Sequence, residues 1–258
     1  MPTALTIEEH GEGIGDAWTV LRDNAARAGL GAPVPTCPGW TVRALVAHQG
    51  MVHRWAAGCL RGERADDDAC ADVEREGLAS PDLLAWLDEG AKDLLSTLAF
   101  APADLDVWFF LKDSPGPRQG WARRQCHETT IHAVDAMAAA RGSVPPAAET
   151  WIHAELAADG VDELLMGFVP RRRSGLELPE PRTVVVRTTD TRQAWTLRAG
   201  EGRTTSSVGE PAEGAPADVE LSGTAAQVYL ALWNRGDEVS CTDPALLERW
   251  RSDVQVLW

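Results

Sequence analysis

The spacing of apolar residues changes at the paired prolines Pro145 and Pro146, and this change constrains the fold more than any other feature of the chain. Upstream, apolar residues recur every three or four positions, as a helix buried along one face requires; downstream they fall into short β-branched runs separated by Gly and Pro. Ile14, Trp18, Leu21 and Ala25 predict an amphipathic helix over residues 5–29, stopped near Gly29 and Gly31. After a turn from Pro33 to Gly39, Thr41 is placed to cap a second helix whose stripe runs Val42, Leu45, Val46, Gln49, Val52, Ala56 and Cys59 until Gly62, with His48 on its edge. Residues 63–77 carry Glu63, Asp66, Asp67, Asp68, Asp72, Glu74 and Glu76, and read as a solvated acidic connection. Ser80 and Pro81 open a third helix with Leu83, Leu84, Leu87, Ala91, Leu94, Leu95 and Leu98 on its buried face. A long connection from Phe100 to Gly120 with Trp108, Phe109 and Phe110 at its centre leads to a fourth helix, Trp121 to Arg141.

Beyond the prolines the pattern predicts a helix near Trp151 to Phe168 and strands at Thr183–Thr188, Ala194–Ala199, Thr204–Val208 and Val219–Leu221. Helices follow at Thr224–Trp233 and Pro244–Arg251. The expected architecture is therefore a four-helix bundle over residues 1–147 followed by a small α+β domain over residues 148–258. A chain of 258 residues is long enough for two such cores.

Charge narrows the function. The chain has 39 Asp and Glu against 24 Lys and Arg, a formal charge of −15, so its surface repels phosphate backbones and anionic membranes. Neither nucleic acid nor a membrane is an expected partner. No run of 18 apolar residues occurs, and the first residues lack the basic and apolar parts of a signal peptide, which predicts a cytoplasmic protein. Five cysteines, Cys37, Cys59, Cys70, Cys126 and Cys241, form no CxxC pair and suit neither a disulfide framework nor a thiolate zinc cluster.

The chemistry sits in the run Gln125-Cys126-His127-Glu128-Thr129-Thr130-Ile131-His132-Ala133-Val134-Asp135. Glu128 and His132 are four apart and Asp135 three further on, so all three project from one helical face. A carboxylate and an imidazole so placed can reach one divalent cation, with Asp135 behind a ligand in a supporting position. Such pairs are also common on solvated helices. His48, beside the apolar stripe of another helix, is the third candidate ligand, and three protein ligands leave room for water or a thiolate. His53 and His127 read as neighbours, since five residues of helix turn His53 well away from His48.

Two segments resemble the mycothiol-dependent maleylpyruvate isomerase family within the DinB-like superfamily. Thr36-Cys37-Pro38-Gly39-Trp40-Thr41-Val42-Arg43-Ala44-Leu45-Val46-Ala47-His48 is similar to its N-terminal signature, and His127-Glu128-Thr129-Thr130-Ile131-His132-Ala133-Val134-Asp135 to its second. Val219-Glu220-Leu221-Ser222-Gly223-Thr224 and Leu230-Ala231-Leu232-Trp233-Asn234-Arg235 are similar to its C-terminal domain. The resemblance implies a DinB-like bundle in which His48, Glu128 and His132 hold a divalent metal, zinc by expectation, with mycothiol as thiol cosubstrate. It also implies an arginine near the site, for which Arg235 is the candidate anion-binding residue. The implied activity is attack of the thiol on a small electrophile, either as a cis–trans isomerase or as a thiol S-transferase, in a monomer or homodimer.

Two other classes fit the same residues. A non-catalytic metal-binding regulatory or interaction protein would close the coordination shell with a fourth protein ligand, and a metal-dependent hydrolase would use metal-bound water. Arg171, Arg172 and Arg173 read as an exposed loop, and tryptophans such as Trp40, Trp55, Trp108, Trp121, Trp233 and Trp258 as packing.

Overall fold

Four long helices follow from caps and stripes set by the sequence. A computed structural model describes residues 3–64, 66–111, 114–171, 175–212 and 216–256, so Arg172, Arg173 and Trp258 lie outside the described residues. Helix α1, Ile7–Ala28, begins at a reciprocal cap in which Thr6 Oγ1 accepts from the Glu9 amide and Glu9 accepts from the Thr6 amide. Helix α2, Val42–Leu60, is capped by Thr41, and α5, Pro117–Arg141, starts with Pro at its first turn and ends at left-handed Gly142. Helix α4 spans Leu83–Phe100; its cap is Asp82, whose carboxylate accepts from the Ala85 amide at 3.0 Å, so Ser80 and Pro81 lie just outside it.

The acidic segment departs from its expected form. Asp67–Ala79 is solvent-exposed as expected, with only Gly77 buried, but it is a helix, α3, and not a simple connection. Asp66 caps it by accepting from the Ala69 amide at 2.9 Å, and Asp67 and Asp68 lie at the positive end of the helix dipole. The negative charges that suggested an unstructured link are thus the ones a helix N-terminus favours.

Helices α1, α2, α4 and α5 pack as a four-helix bundle, with α3 laid against α2 and α4. Close approach of α2, α3 and α4 depends on two glycines around Trp86. A Cβ at Gly77 would stand 2.7 Å from the indole, and one at Gly50 would overlap it outright. Arg54 completes the stack, its guanidinium carbon 3.8 Å from the Trp86 ring centroid and its Nη2 donating to the Trp86 carbonyl at 2.7 Å. The 101–116 connection is anchored by Trp108, Phe109 and Phe110, which pack against Trp121 and Trp55 with ring centroids 5.1 to 6.3 Å apart.

Chain contacts place residues 4–145 in one compact unit and residues 146–258 in the other. In the second unit α6, Ala154–Asp162, runs on as a π-helical turn over Glu163–Phe168. Strands β1 (Arg182–Thr188), β2 (Ala194–Ala199), β3 (Thr205–Val208), β4 (Val219–Gly223) and β5 (Ser240–Cys241) form one sheet in the order β3-β2-β1-β4-β5. The β1–β4 pair is parallel and the others antiparallel. Val184, Val185 and Val186 of central β1 are all buried, as expected of a strand covered on both faces. Helices α7 (Ala225–Leu232) and α8 (Pro244–Asp253) complete the unit, and the two-residue β5 is too short to leave a readable period.

Helix propensity alone says Gly77→Ala stabilises the fold by about 0.5–1 kcal/mol. The Trp86 overlap opposes this, and we expect both Gly50→Ala and Gly77→Ala to destabilise by about 1–3 kcal/mol, read as a lower urea midpoint.

Candidate metal centre

Helix α5 has no apolar stripe: Gly120 to Asp135 are buried on every side, and the polar residues among them need partners inside the protein. Glu128 is the focus. Its Oε2 accepts from Arg124 Nη2 at 2.7 Å, one helical turn earlier, and that arginine side chain is fully buried. Its Oε1 is buried without a hydrogen bond of ordinary geometry and faces His132 Nε2 at 3.3 Å and His48 Nε2 at 3.5 Å. Helices α2 and α5 thus bring His48, Glu128 and His132 together, with one ligand-capable atom from each within 4.8 Å of the others.

His132 is held from behind. Its Nδ1 lies 2.9 Å from Asp135 Oδ2, and buried Asp135 also accepts from Thr36 Oγ1 at 2.5 Å and from Cys37 Sγ at 3.3 Å. Trp40 covers both imidazoles, edge-on to His48 with centroids 5.1 Å apart and stacked on His132 at 6.1 Å. A carboxylate on one imidazole nitrogen directs the other toward a cation. Cys37 groups with His132 and Asp135, on the Nδ1 side of the ring.

The electrostatics of the cluster favour separated charges. Burial alone would push the Glu128 carboxyl up, but the nearby His132 and His48 imidazoles and the Arg124 charge hold it well below the ordinary carboxylate range. Burial lowers His132, and its contacts with Asp135 and Glu128 outweigh that and raise it to about 9. For His53 the Glu128 charge is too weak to offset burial. Buried between Gln49 and Thr129, with Nε2 2.8 Å from Gln49 Nε2 and 3.0 Å from Thr129 Oγ1, it is pushed by burial down to about 3 and stays neutral.

The set of nitrogen, nitrogen and carboxylate donors fits a divalent cation. A tetrahedral ion with bonds of about 2.0–2.1 Å requires its ligand atoms about 3.4 Å apart. The observed Glu128 edges of 3.3 and 3.5 Å match that figure, and a cation would satisfy the orphaned Oε1. Among the described residues, no fourth Cys, His, Asp or Glu joins this cluster.

Arg235 belongs to the C-terminal unit, after left-handed Asn234, where its Nη1 donates to the Trp233 carbonyl at 2.8 Å. His127 does not join the cluster of three. Sequence reasoning missed Arg124, Thr36, Cys37 and Trp40 as parts of the site. Arg124 had a readable signal in its four-residue spacing to Glu128, whereas the other three meet the site only through tertiary folding.

Fold and cluster together define a two-unit protein that joins a helical bundle with a buried histidine–carboxylate centre to a small mixed-sheet domain. The chain belongs to the mycothiol maleylpyruvate isomerase family: the model of that family's N-terminal domain matches residues 12–137, and the model of the MDMPI C-terminal domain matches residues 155–245. Among solved structures it is similar to the mycothiol-dependent maleylpyruvate isomerase at 17% identity, with a TM-score of 0.63. A histidine-to-alanine mutant of the mycothiol-dependent maleylpyruvate isomerase gives 15% identity and 0.64. Each comparison covers 94% of this chain and 96% of the other, and at these identities the likeness establishes the fold. No curated protein matches by sequence.

The shifts set a pH dependence for the metal-free protein. His132 rises from 6.5 to about 9 on folding, so its stabilisation is complete below pH 6.5 and is lost as pH climbs through 9. Glu128 is depressed, so its contribution is present above its ordinary value of 4.5 and lost well below it. We expect urea unfolding of metal-free protein to show stability falling from neutral to alkaline pH, with His132→Gln removing that alkaline loss.

Proposed function

We propose that this chain is a mycothiol-dependent enzyme acting on a small electrophile, as a cis–trans isomerase or thiol S-transferase, with a divalent cation at His48, Glu128 and His132. The observation that carries the reading is the pair of 3.3 and 3.5 Å edges converging on a buried, orphaned carboxylate oxygen. Zinc suits two imidazoles and a carboxylate, and three protein ligands leave a coordination position open. When bound, such a cation supplies the Lewis acidity that keeps a thiol as thiolate at neutral pH.

The chain's own residues prepare the site. Arg124 occupies Glu128 Oε2 and leaves Oε1 for the cation, while Asp135 holds His132 Nδ1 and leaves Nε2. Trp40 walls the two imidazoles and limits water on that side. With Glu128 and Asp135 negative and Arg124 positive, a dication leaves the centre one positive charge, which a single thiolate neutralises.

Family membership supports the thiol, since the matching family models are those of a mycothiol maleylpyruvate isomerase. Isomerase and transferase share the attack of sulfur on an electrophilic carbon: an isomerase releases the sulfur after rotation about the former double bond, whereas a transferase keeps the bond. Arg235 is assigned a substrate carboxylate on the family resemblance alone. We place the protein in the reducing cytoplasm, which accords with five cysteines held as thiols and not as disulfides. No helix of the described residues is long and apolar enough to cross a membrane.

Metal analysis and calorimetric titration with mycothiol test the reading on wild type, His48→Ala and Glu128→Gln, the last keeping an acceptor for Arg124. We expect wild type to hold a stoichiometric divalent metal and bind the thiol, and both variants to lose metal and thiol binding with unchanged circular dichroism. Full metal retention by both variants overturns the assignment.

A further inference from the structure

We propose that the Thr36–Cys37 turn is a positioning clamp that acts on His132 through Asp135, an inference that rests on the metal reading above. Asp135 is fully buried, and its two oxygens are shared among donors from two parts of the chain. Oδ1 accepts from Thr36 Oγ1 at 2.5 Å; Oδ2 accepts from Cys37 Sγ at 3.3 Å and meets His132 Nδ1 at 2.9 Å. The turn therefore fixes the carboxylate plane, the carboxylate fixes the imidazole, and His132 Nε2 is left facing Glu128 at 3.3 Å.

The turn is stiff enough for this task. Val34 N donates to the Trp40 carbonyl at 3.0 Å, Trp40 N to the Cys37 carbonyl at 3.0 Å and Cys37 N to the Val34 carbonyl at 3.1 Å. It leads directly into Thr41, the cap of the helix that carries His48. Trp40, from the same turn, rests on the rings of both histidines. One loop is thus registered against the ligands of two helices. Cys37 serves here as a hydrogen-bond donor, a role that requires its S–H proton and assigns its sulfur to the side of His132 away from Glu128. Removing such support typically costs about 10- to 100-fold in metal affinity.

The test compares wild type with Thr36→Val/Cys37→Ala, and with Thr36→Ser as the conservative variant. Three readouts are used: Co²⁺ affinity, the visible spectrum of the Co²⁺ protein, and the melting temperature of metal-free protein. We expect the double variant to bind Co²⁺ about 10- to 100-fold more weakly with an altered spectrum, its metal-free melting temperature falling because buried Asp135 loses two donors, and Thr36→Ser to bind as wild type does. Wild-type affinity in the double variant overturns the clamp, as does a loss in Thr36→Ser equal to that in Thr36→Val alone. If the double variant fails to fold, Thr36→Val carries the same comparison. Nitrogen-15 NMR of neutral His132 in metal-free protein separates this inference from the metal reading. A single Nδ1–H tautomer in wild type that becomes mixed in the variant supports the clamp even if Co²⁺ does not bind, and identical tautomer populations in both overturn it.

Discussion

A carboxylate buried between two imidazoles and a buried guanidinium is the constraint around which the N-terminal bundle is organised. An uncompensated buried charge costs several kcal/mol, so Glu128 is tolerated only because Arg124 takes one oxygen and His48 and His132 surround the other. That requirement reaches outward. His132 needs Asp135, and Asp135 takes donors from Thr36 and Cys37, so the polar interior extends from α5 to the loop before α2. An apolar layer of similar volume would stabilise the bundle at least as well. Stability alone therefore does not account for the retained polarity.

The rest of the bundle holds this polar layer rigid. Gly50 and Gly77 admit the Trp86 ring between α2 and α3, Arg54 seals it, and the aromatic group around Trp121 fastens the 101–116 connection near the start of α5. Close packing of this kind fixes α2 relative to α5, the two helices that supply the three converging side chains. Ligand atoms must meet within a few tenths of an ångström, so helix placement matters as much as residue identity.

Much of the architecture was legible because it rests on local rules. Thr41 capped a helix as its residue type suggested, the Gly142 stop fell where the periodicity ended, and four strands appeared at the runs of alternating or β-branched residues. The acidic segment is solvated as its charge density suggested, but its helix escaped notice because no apolar period marks it, whereas Asp66, Asp67 and Asp68 cap and stabilise the helix start. Strand β5 escaped notice because two residues, Ser240 and Cys241, carry no period, and they pair only because β4 presents an edge to them.

By itself, the sequence determined the helical spacing that puts Glu128, His132 and Asp135 on one face, since the pitch of an α-helix fixes neighbours three and four apart. It also determined the division into a helical half and a β-rich half, because apolar periods of 3.6 and 2 cannot serve the same element. Only the tertiary structure decided that His48 meets that face, that His53 is left in a neutral polar pocket, and that Thr36, Cys37 and Trp40 close around His132. Those contacts join residues as much as 99 positions apart in the chain, and no local rule encodes a distance that arises only when two helices and a loop pack together.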